Sequence, residues 1–197
     1  MEISTDHSEI PKVIEQSGRS YSTGIFELFK QDVQRWIVPG QFADPSHVTN
    51  GKIASLLFRH MQVRAMLLFR FGAWCNHKHI RFLPLFIQRL IALFYGLEIA
   101  IGQEVGGGLY IAHPYGTVIM PDRIGNNCSI VHNVTIGMRN ESDFPSIGDN
   151  VFIGAGARVL GGVRIGDGAK IGANAVVIKD VPPGATMVGI PARQVRK

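Results

Sequence analysis

The stretch IGDNVFIGAGARVLGGVRIGDGAKIGANAVV, residues 147–177, decides the fold. Ile147, Ile153, Val159, Ile165, Ile171 and Val177 recur every six residues, and Gly148, Gly154, Gly166 and Gly172 follow four of them. A second row at the same spacing is small or apolar: Val151, Ala157, Val163, Ala169, Ala175 and Val181. Six is not a multiple of the 3.6-residue helical turn, so no α-helix produces this pattern. Strand alternation alone would not keep glycine in one register. A six-residue period fits a parallel β-helix, in which three short strands close each triangular coil. The branched aliphatic points inward and stacks on its equivalents, and the small residue four places on sits near a corner. Such a solenoid buries its core only by stacking, so several coils are needed.

Upstream, Val118, Ile124, Ile130 and Ile136 continue the row, and Ile99, Val105 and Ile111 begin it. Residues 98–186 hold roughly 15 hexapeptides, or about five coils. The register breaks twice. Ile111 to Val118 is one residue too long, and Ile136 to Ile147 spans eleven residues through the polar segment MRNESDFPS (138–146). The second break reads as a loop thrown out of a coil, where binding sites are commonly built.

The preceding chain differs in composition. Residues 98–197 hold 17 of the 23 glycines, whereas residues 1–97 hold 13 of the 17 aromatics. The first part carries 11 basic and 7 acidic groups, the second 9 and 8, so most of the net charge of +5 lies before the repeat. Apolar residues at three- and four-residue steps predict helices: Phe26, Phe29, Val33 and Ile37; the run Ile53 to Phe71; and Leu85 to Phe94. Pro39-Gly40, Pro45 and Asn76–Lys78 read as breaks. The domains expected are a disordered N-terminus (1–20), a basic α-helical domain (21–97) and a repeat domain with a C-terminal cap (98–197). The fold class is α+β.

Two cysteines, Cys75 and Cys128, exclude a disulfide framework and read as buried thiols. His113 and His132 are the only histidines in the repeat, and no metal site is expected, since zinc needs three or four ligands. His113 sits at the first register break in IAHPYG (111–116), and Glu98 and Asp122 are carboxylates within about a coil of it. Either could hold the ring Nδ1 proton and leave Nε2 free as a base. The run VPPGATMVGIPAR (181–193) reads as a solenoid cap, and Lys179 and Arg193 are candidate partners for phosphates. Gly106-Gly107-Gly108 is a lone glycine run without a Walker or dinucleotide pattern. The near-neutral repeat half argues against nucleic-acid binding.

The hexapeptides together with this ending resemble the left-handed β-helix acyltransferases, most closely the serine-acetyltransferase branch. The short helical part looks closer to exopolysaccharide enzymes of the colanic-acid type. The resemblance covers about half the chain. It implies a left-handed coil, acetyl-CoA as co-substrate, and a homotrimer or dimer of trimers with sites between subunits. His113 falls at the family's catalytic histidine, and Glu98 at the carboxylate that orients it, where serine acetyltransferases have Asp. Ala155 and Ala173 fall on the coenzyme groove, and Lys179 and Arg193 resemble the basic residues near its phosphates. His132 is a candidate for the oxyanion, and Asp122, Asp143 and Phe144 are candidates for the acceptor side.

Two departures bear on the acceptor. Ala112 stands where serine acetyltransferases have Asp, and Asp143-Phe144-Pro145 where they have Arg-His-Pro. Losing a cation there disfavours an amino-acid carboxylate. The expectation is an O-acetyltransferase acting on a sugar hydroxyl in surface polysaccharide synthesis, with serine O-acetylation as the alternative and a non-catalytic trimeric scaffold as the third reading. Met1 to Ser20 lacks the apolar core of a signal peptide, which points to a cytoplasmic protein. Seven cations and no acid between residues 46 and 97 suggest peripheral contact with the inner face of the membrane and its anionic lipids.

Overall fold

The computed structural model describes residues 24–37, 48–140 and 143–195. The expected disordered segment 1–20 and the breaks at Pro39-Gly40 and Pro45 lie outside them. Four helices come first: α1 (Ile25–Ile37), α2 (Asn50–Arg59), α3 (Met61–His77) and α4 (Leu83–Tyr95). The run from Ile53 to Phe71, read above as one periodic segment, is two helices. His60 adopts an extended conformation (φ −118°, ψ 112°) and separates them. α4 ends on Gly96, whose left-handed backbone (φ 61°) closes the helix, and the first strand starts at the next residue.

The rest is a left-handed parallel β-helix of about five coils. The first coil holds β1 (Leu97–Ile99), β2 (Glu104–Val105) and β3 (Tyr110–Ile111). The second holds β4 (Thr117–Ile119), β5 (Arg123–Ile124) and β6 (Ser129–Ile130). The third holds β7 (Thr135–Gly137), β8 (Ser146–Ile147) and β9 (Phe152–Ile153), and the fourth β10 (Arg158–Leu160), β11 (Arg164–Ile165) and β12 (Lys170–Ile171). The last coil has β13 (Val176–Val177), a bridge from Val181 to Ile165, and β14 (Thr186–Val188). β15 (Arg193–Gln194) then turns back antiparallel on β14 and caps the stack. Three sheets form the faces: β1-β4-β7-β10-β13, β2-β5-β8-β11 and β3-β6-β9-β12-β14-β15. Strands of two or three residues have no stability alone, so each coil depends on main-chain bonds to the next.

Both six-residue rows of residues 147–181 are buried. One member of the upstream row is corrected. Ile119, not Val118, points inward: Ile119 is fully buried and Val118 half-buried. The step from Ile111 is therefore eight residues, two more than a hexapeptide, and the next step to Ile124 is five.

The hexapeptide glycine is required by space and not by backbone angle. At Gly148 a Cβ would lie 2.2 Å from Asp167 Oδ1 and 3.0 Å from the Ile165 carbonyl, on the next coil. Only a residue without Cβ lets the coils close there. The positive φ angles fall two residues later, at Asn150 and Gly156 for example. At the same corner Asp149 Oδ1 accepts the Asn126 N–H (2.7 Å), and Asp167 Oδ1 accepts that of Asp149 (2.8 Å).

The helices dock through a buried ion pair. Arg70 on α3 donates twice to Asp32 on α1 (2.8 and 3.0 Å) and also to the carbonyls of Val105 and Gly106 (2.7 and 2.6 Å). Asp32 in turn accepts the Leu109 N–H at 2.8 Å. Burial pushes the Asp32 carboxyl above its ordinary value, against the pull of the Arg70 guanidinium. Arg35 adds bonds to the Asn127 carbonyl (2.8 Å) and the Ser129 hydroxyl (2.7 Å). The Gly106–Gly108 run is thus a docking surface. A Cβ on Gly107 would fall 1.7 Å from Gln31 Oε1. Arg70, one of the seven cations between residues 46 and 97, is 3% exposed and belongs to this contact.

Candidate functional site

The main chain stacks one corner of the coil directly above another. The Asn133 N–H donates to the Tyr115 carbonyl (3.1 Å), the Gly156 N–H to the His132 carbonyl (3.0 Å) and the Asn174 N–H to the Ala155 carbonyl (2.8 Å). Tyr115, His132, Ala155 and Ala173 therefore occupy equivalent places on successive coils. Four residues that lie far apart in sequence form one ladder at the edge where the third sheet turns into the first. The small side chains of Ala155 and Ala173 leave that edge open on the upper coils, while the lower coils carry aromatic and imidazole groups.

His113 lies in the two residues by which this corner exceeds a hexapeptide. Its backbone is left-handed (φ 55°), a conformation uncommon outside glycine, and its side chain is exposed. The insertion pushes His113 out of the stack and over the coil above. Its ring meets that of His132 edge-on, with centroids 6.2 Å apart. The next residues anchor the bulge: Pro114 is buried and accepts the Thr117 N–H at 3.1 Å. The Tyr115 hydroxyl donates to Met61 Sδ at 3.4 Å, which ties the corner to the start of α3. Nothing in the sequence singled out Tyr115. Its signal was its place in the over-long step.

Glu98 is half-buried on β1, in register with Val118, and faces outward beside that corner. Among the described residues no hydrogen bond or ion pair joins Glu98 to His113.

The polar loop occupies the opposite edge of the first sheet, about 10 Å away for a three-residue strand. Asp143 Oδ2 accepts the Gly162 N–H (2.9 Å), which clips the loop to the fourth coil. Asp122 holds the loop from below: its carboxylate accepts the Ser146 hydroxyl (3.0 Å) and its N–H donates to the Pro145 carbonyl (2.9 Å). Phe144 is half-buried between them. Arg139, Asp143, Lys179 and Asp180 share the walls of a cavity of about 370 Å³. Lys179 thus stands with the loop, away from Ala155 and Ala173. Arg193 is exposed on β15, at the end of the stack. The structure brings His113 and His132 together and places Asp122, Asp143 and Phe144 around one loop. The first sheet lies between the two groups. Among the described residues no cluster of three or more His, Cys, Asp or Glu could hold a metal ion.

Comparison with known proteins gives consistent relatives. The family described as "Bacterial transferase hexapeptide (six repeats)" matches residues 144–179. A serine acetyltransferase of Helicobacter pylori is 36% identical over 146 residues, which cover 72% of this chain and 85% of the relative. The crystal structure of Neisseria gonorrhoeae serine acetyltransferase in complex with serine superposes with a TM-score of 0.72 at 33% identity, covering 86% of this chain and 68% of that one. A serine acetyltransferase structure in complex with CoA gives 0.69 at 30% identity, covering 87% and 69%.

Proposed function

The chain belongs to the serine acetyltransferase family of hexapeptide-repeat acyltransferases, and from that premise we propose that it transfers the acetyl group of acetyl-CoA to the hydroxyl of L-serine. That it is an acetyl-CoA-dependent O-acetyltransferase follows from the family. The acceptor is the proposal, and the names of the relatives put serine ahead of the sugar hydroxyl expected from sequence. None of the relatives described above is a polysaccharide enzyme, so that assignment loses its first place.

The observation that carries the reading is the bulged corner, which places an exposed imidazole against a second one beside an open edge. In the proposed reaction His113 Nε2 removes the hydroxyl proton as the oxygen attacks the thioester carbonyl carbon. The tetrahedral intermediate then collapses with cleavage of the C–S bond. The CoA sulfur leaves with the proton held by His113, so no covalent enzyme intermediate is needed. We assign Glu98, on the outer face of β1 and with no hydrogen bond to His113 among the described residues, as the positioning residue for the imidazole, and His132, whose ring meets that of His113 edge-on, as the side chain for the developing oxyanion. Ala155 and Ala173 line the edge along which the coenzyme would lie, and its phosphates would extend from that edge to meet Arg193 at the end of the stack or Lys179 across the first sheet. The exposed corner is shallow, and a second copy of the chain in a trimer would wall it.

Asp143 supports a second reading. Across the roughly 10 Å between this loop and the His113 corner, a serine carboxylate would be repelled by ~0.4–1.7 kcal/mol at surface-like dielectric. An acceptor without a carboxylate, such as a sugar, meets no such cost. Thiol release from acetyl-CoA, measured with L-serine beside mono- and oligosaccharides, separates the two. A saturable serine rate supports the first reading. Turnover with sugars alone supports the second, and no acetyl-CoA binding by calorimetry overturns both in favour of a scaffold.

A further inference from the structure

α4 (LPLFIQRLIALFY) is the most apolar helix, yet among its residues only Ile87 and Ile91 are buried. Leu85, Phe86, Leu93 and Phe94 are 57%, 58%, 77% and 65% exposed. On α3, which packs along it, Leu67, Phe71 and Trp74 form an exposed stripe at helical spacing, and the Phe71 and Trp74 rings stack with centroids 5.9 Å apart. The turn between the helices presents Phe82, which is 78% exposed, with the Arg81 guanidinium 5.5 Å from its ring centroid. Apolar side chains scattered singly over a surface need no explanation, but this many on one hairpin do.

The charges say what covers them. Residues 46–97 contain seven Lys and Arg and no acid. Arg70 is committed to Asp32, Arg64 donates to the carbonyls of Leu57 and Phe58, and Lys78 shares a cavity wall with Glu104. Lys52 and Arg59 lie on α2, and Arg81 and Arg89 are exposed on the hairpin among its aromatic residues. A second copy packed face to face about a twofold axis would bring these guanidinium groups against their own equivalents. An anionic bilayer surface matches both features: the rings enter the boundary of the acyl chains and the guanidinium groups meet lipid phosphates. No helix among the described residues is long and apolar enough to cross a membrane, so such a contact lies on the surface.

We propose that the α3–α4 hairpin docks the protein on an anionic membrane surface, whichever acceptor the corner site uses. The full-length protein is floated with phosphatidylcholine vesicles with and without phosphatidylglycerol, at low and high salt. Two exposed-site variants, Arg81→Gln/Arg89→Gln and Phe86→Ser/Leu93→Ser, are floated in parallel. The wild type should rise with the anionic vesicles at low salt and be released at high salt. Each variant should lose about tenfold in partitioning, with its helical circular dichroism and thiol release unchanged. Absence of flotation at low salt, or flotation equal in wild type and both variants, overturns the proposal. So does a drop in oligomer mass by light scattering for Phe86→Ser/Leu93→Ser, which would assign the face to contacts between copies.

Discussion

Replacing His113 tests the corner most directly, and the structure dictates the replacement. The side chain is exposed and has no hydrogen-bond partner among the described residues, so removing it leaves the core untouched. The backbone is the complication. At φ 55° histidine and alanine both carry a Cβ in the left-handed region, but histidine, like asparagine, is enriched there and alanine is not. Asparagine tolerates that conformation, so His113→Asn isolates the imidazole. A positioned general base contributes about 10²–10⁴ in rate, or roughly 3–5 kcal/mol of transition-state stabilisation. Thiol release at saturating acetyl-CoA and acceptor should fall by at least about a hundredfold in kcat. The melting temperature should stay within a degree or so of wild type, as for other surface substitutions. KM for acetyl-CoA should change little, because Ala155 and Ala173 lie on higher coils. A kcat within about threefold of wild type, with the melt unchanged, would refute the assignment of His113 as base.

Four further outcomes follow from buried polar groups. Asp32→Ala should cost about 3–5 kcal/mol in denaturant unfolding by leaving Arg70 buried and unpaired, whereas Asp32→Leu/Arg70→Met should cost clearly less. Because burial raises the Asp32 carboxyl, the folded protein holds that proton more tightly than the unfolded chain, and stability falls as pH rises from the ordinary value of 3.8; the double variant should flatten this slope. Thr117 is fully buried and its hydroxyl has no partner among the described residues, so Thr117→Val should stabilise by about 1 kcal/mol in a thermal melt, and a loss of stability would show that the hydroxyl is satisfied. The Cys128 thiol is pushed up to about 11 by burial, so iodoacetamide at pH 8 should label it only after unfolding, as followed by intact mass.

The candidate site was legible in part, and for one reason. His113 and the 138–146 loop both stand at breaks in a regular row, and an interrupted repeat marks itself. What the row could not show was how a break is absorbed. Val118 and Ile119 are both β-branched and adjacent, and only the pairing of Ile99 with Ile119 decides which faces inward. The same ambiguity hid the true length of the bulge that carries His113. Tyr115 carried no chemical signal, because its tether to Met61 joins residues 54 apart. Lys179 is a candidate phosphate partner by sequence, and its place in a cavity wall with Asp143 is visible only in the structure.

By itself the sequence determined the β-helix, the helical character of the preceding chain and the burial of both cysteines. A six-residue period specifies its own stacking partner: each residue packs on its equivalent one coil away, so spacing alone encodes the contact. The tertiary structure decided how the helices sit on that stack. Asp32 reaches Arg70 across 38 residues and Leu109 across 77, and Gln31 meets Gly107, with no period to announce any of them. A charged residue reads the same in sequence whether it faces water or a buried carboxylate. Only the docked helices turned Arg70 into part of the core and left Arg81 and Arg89 facing outward.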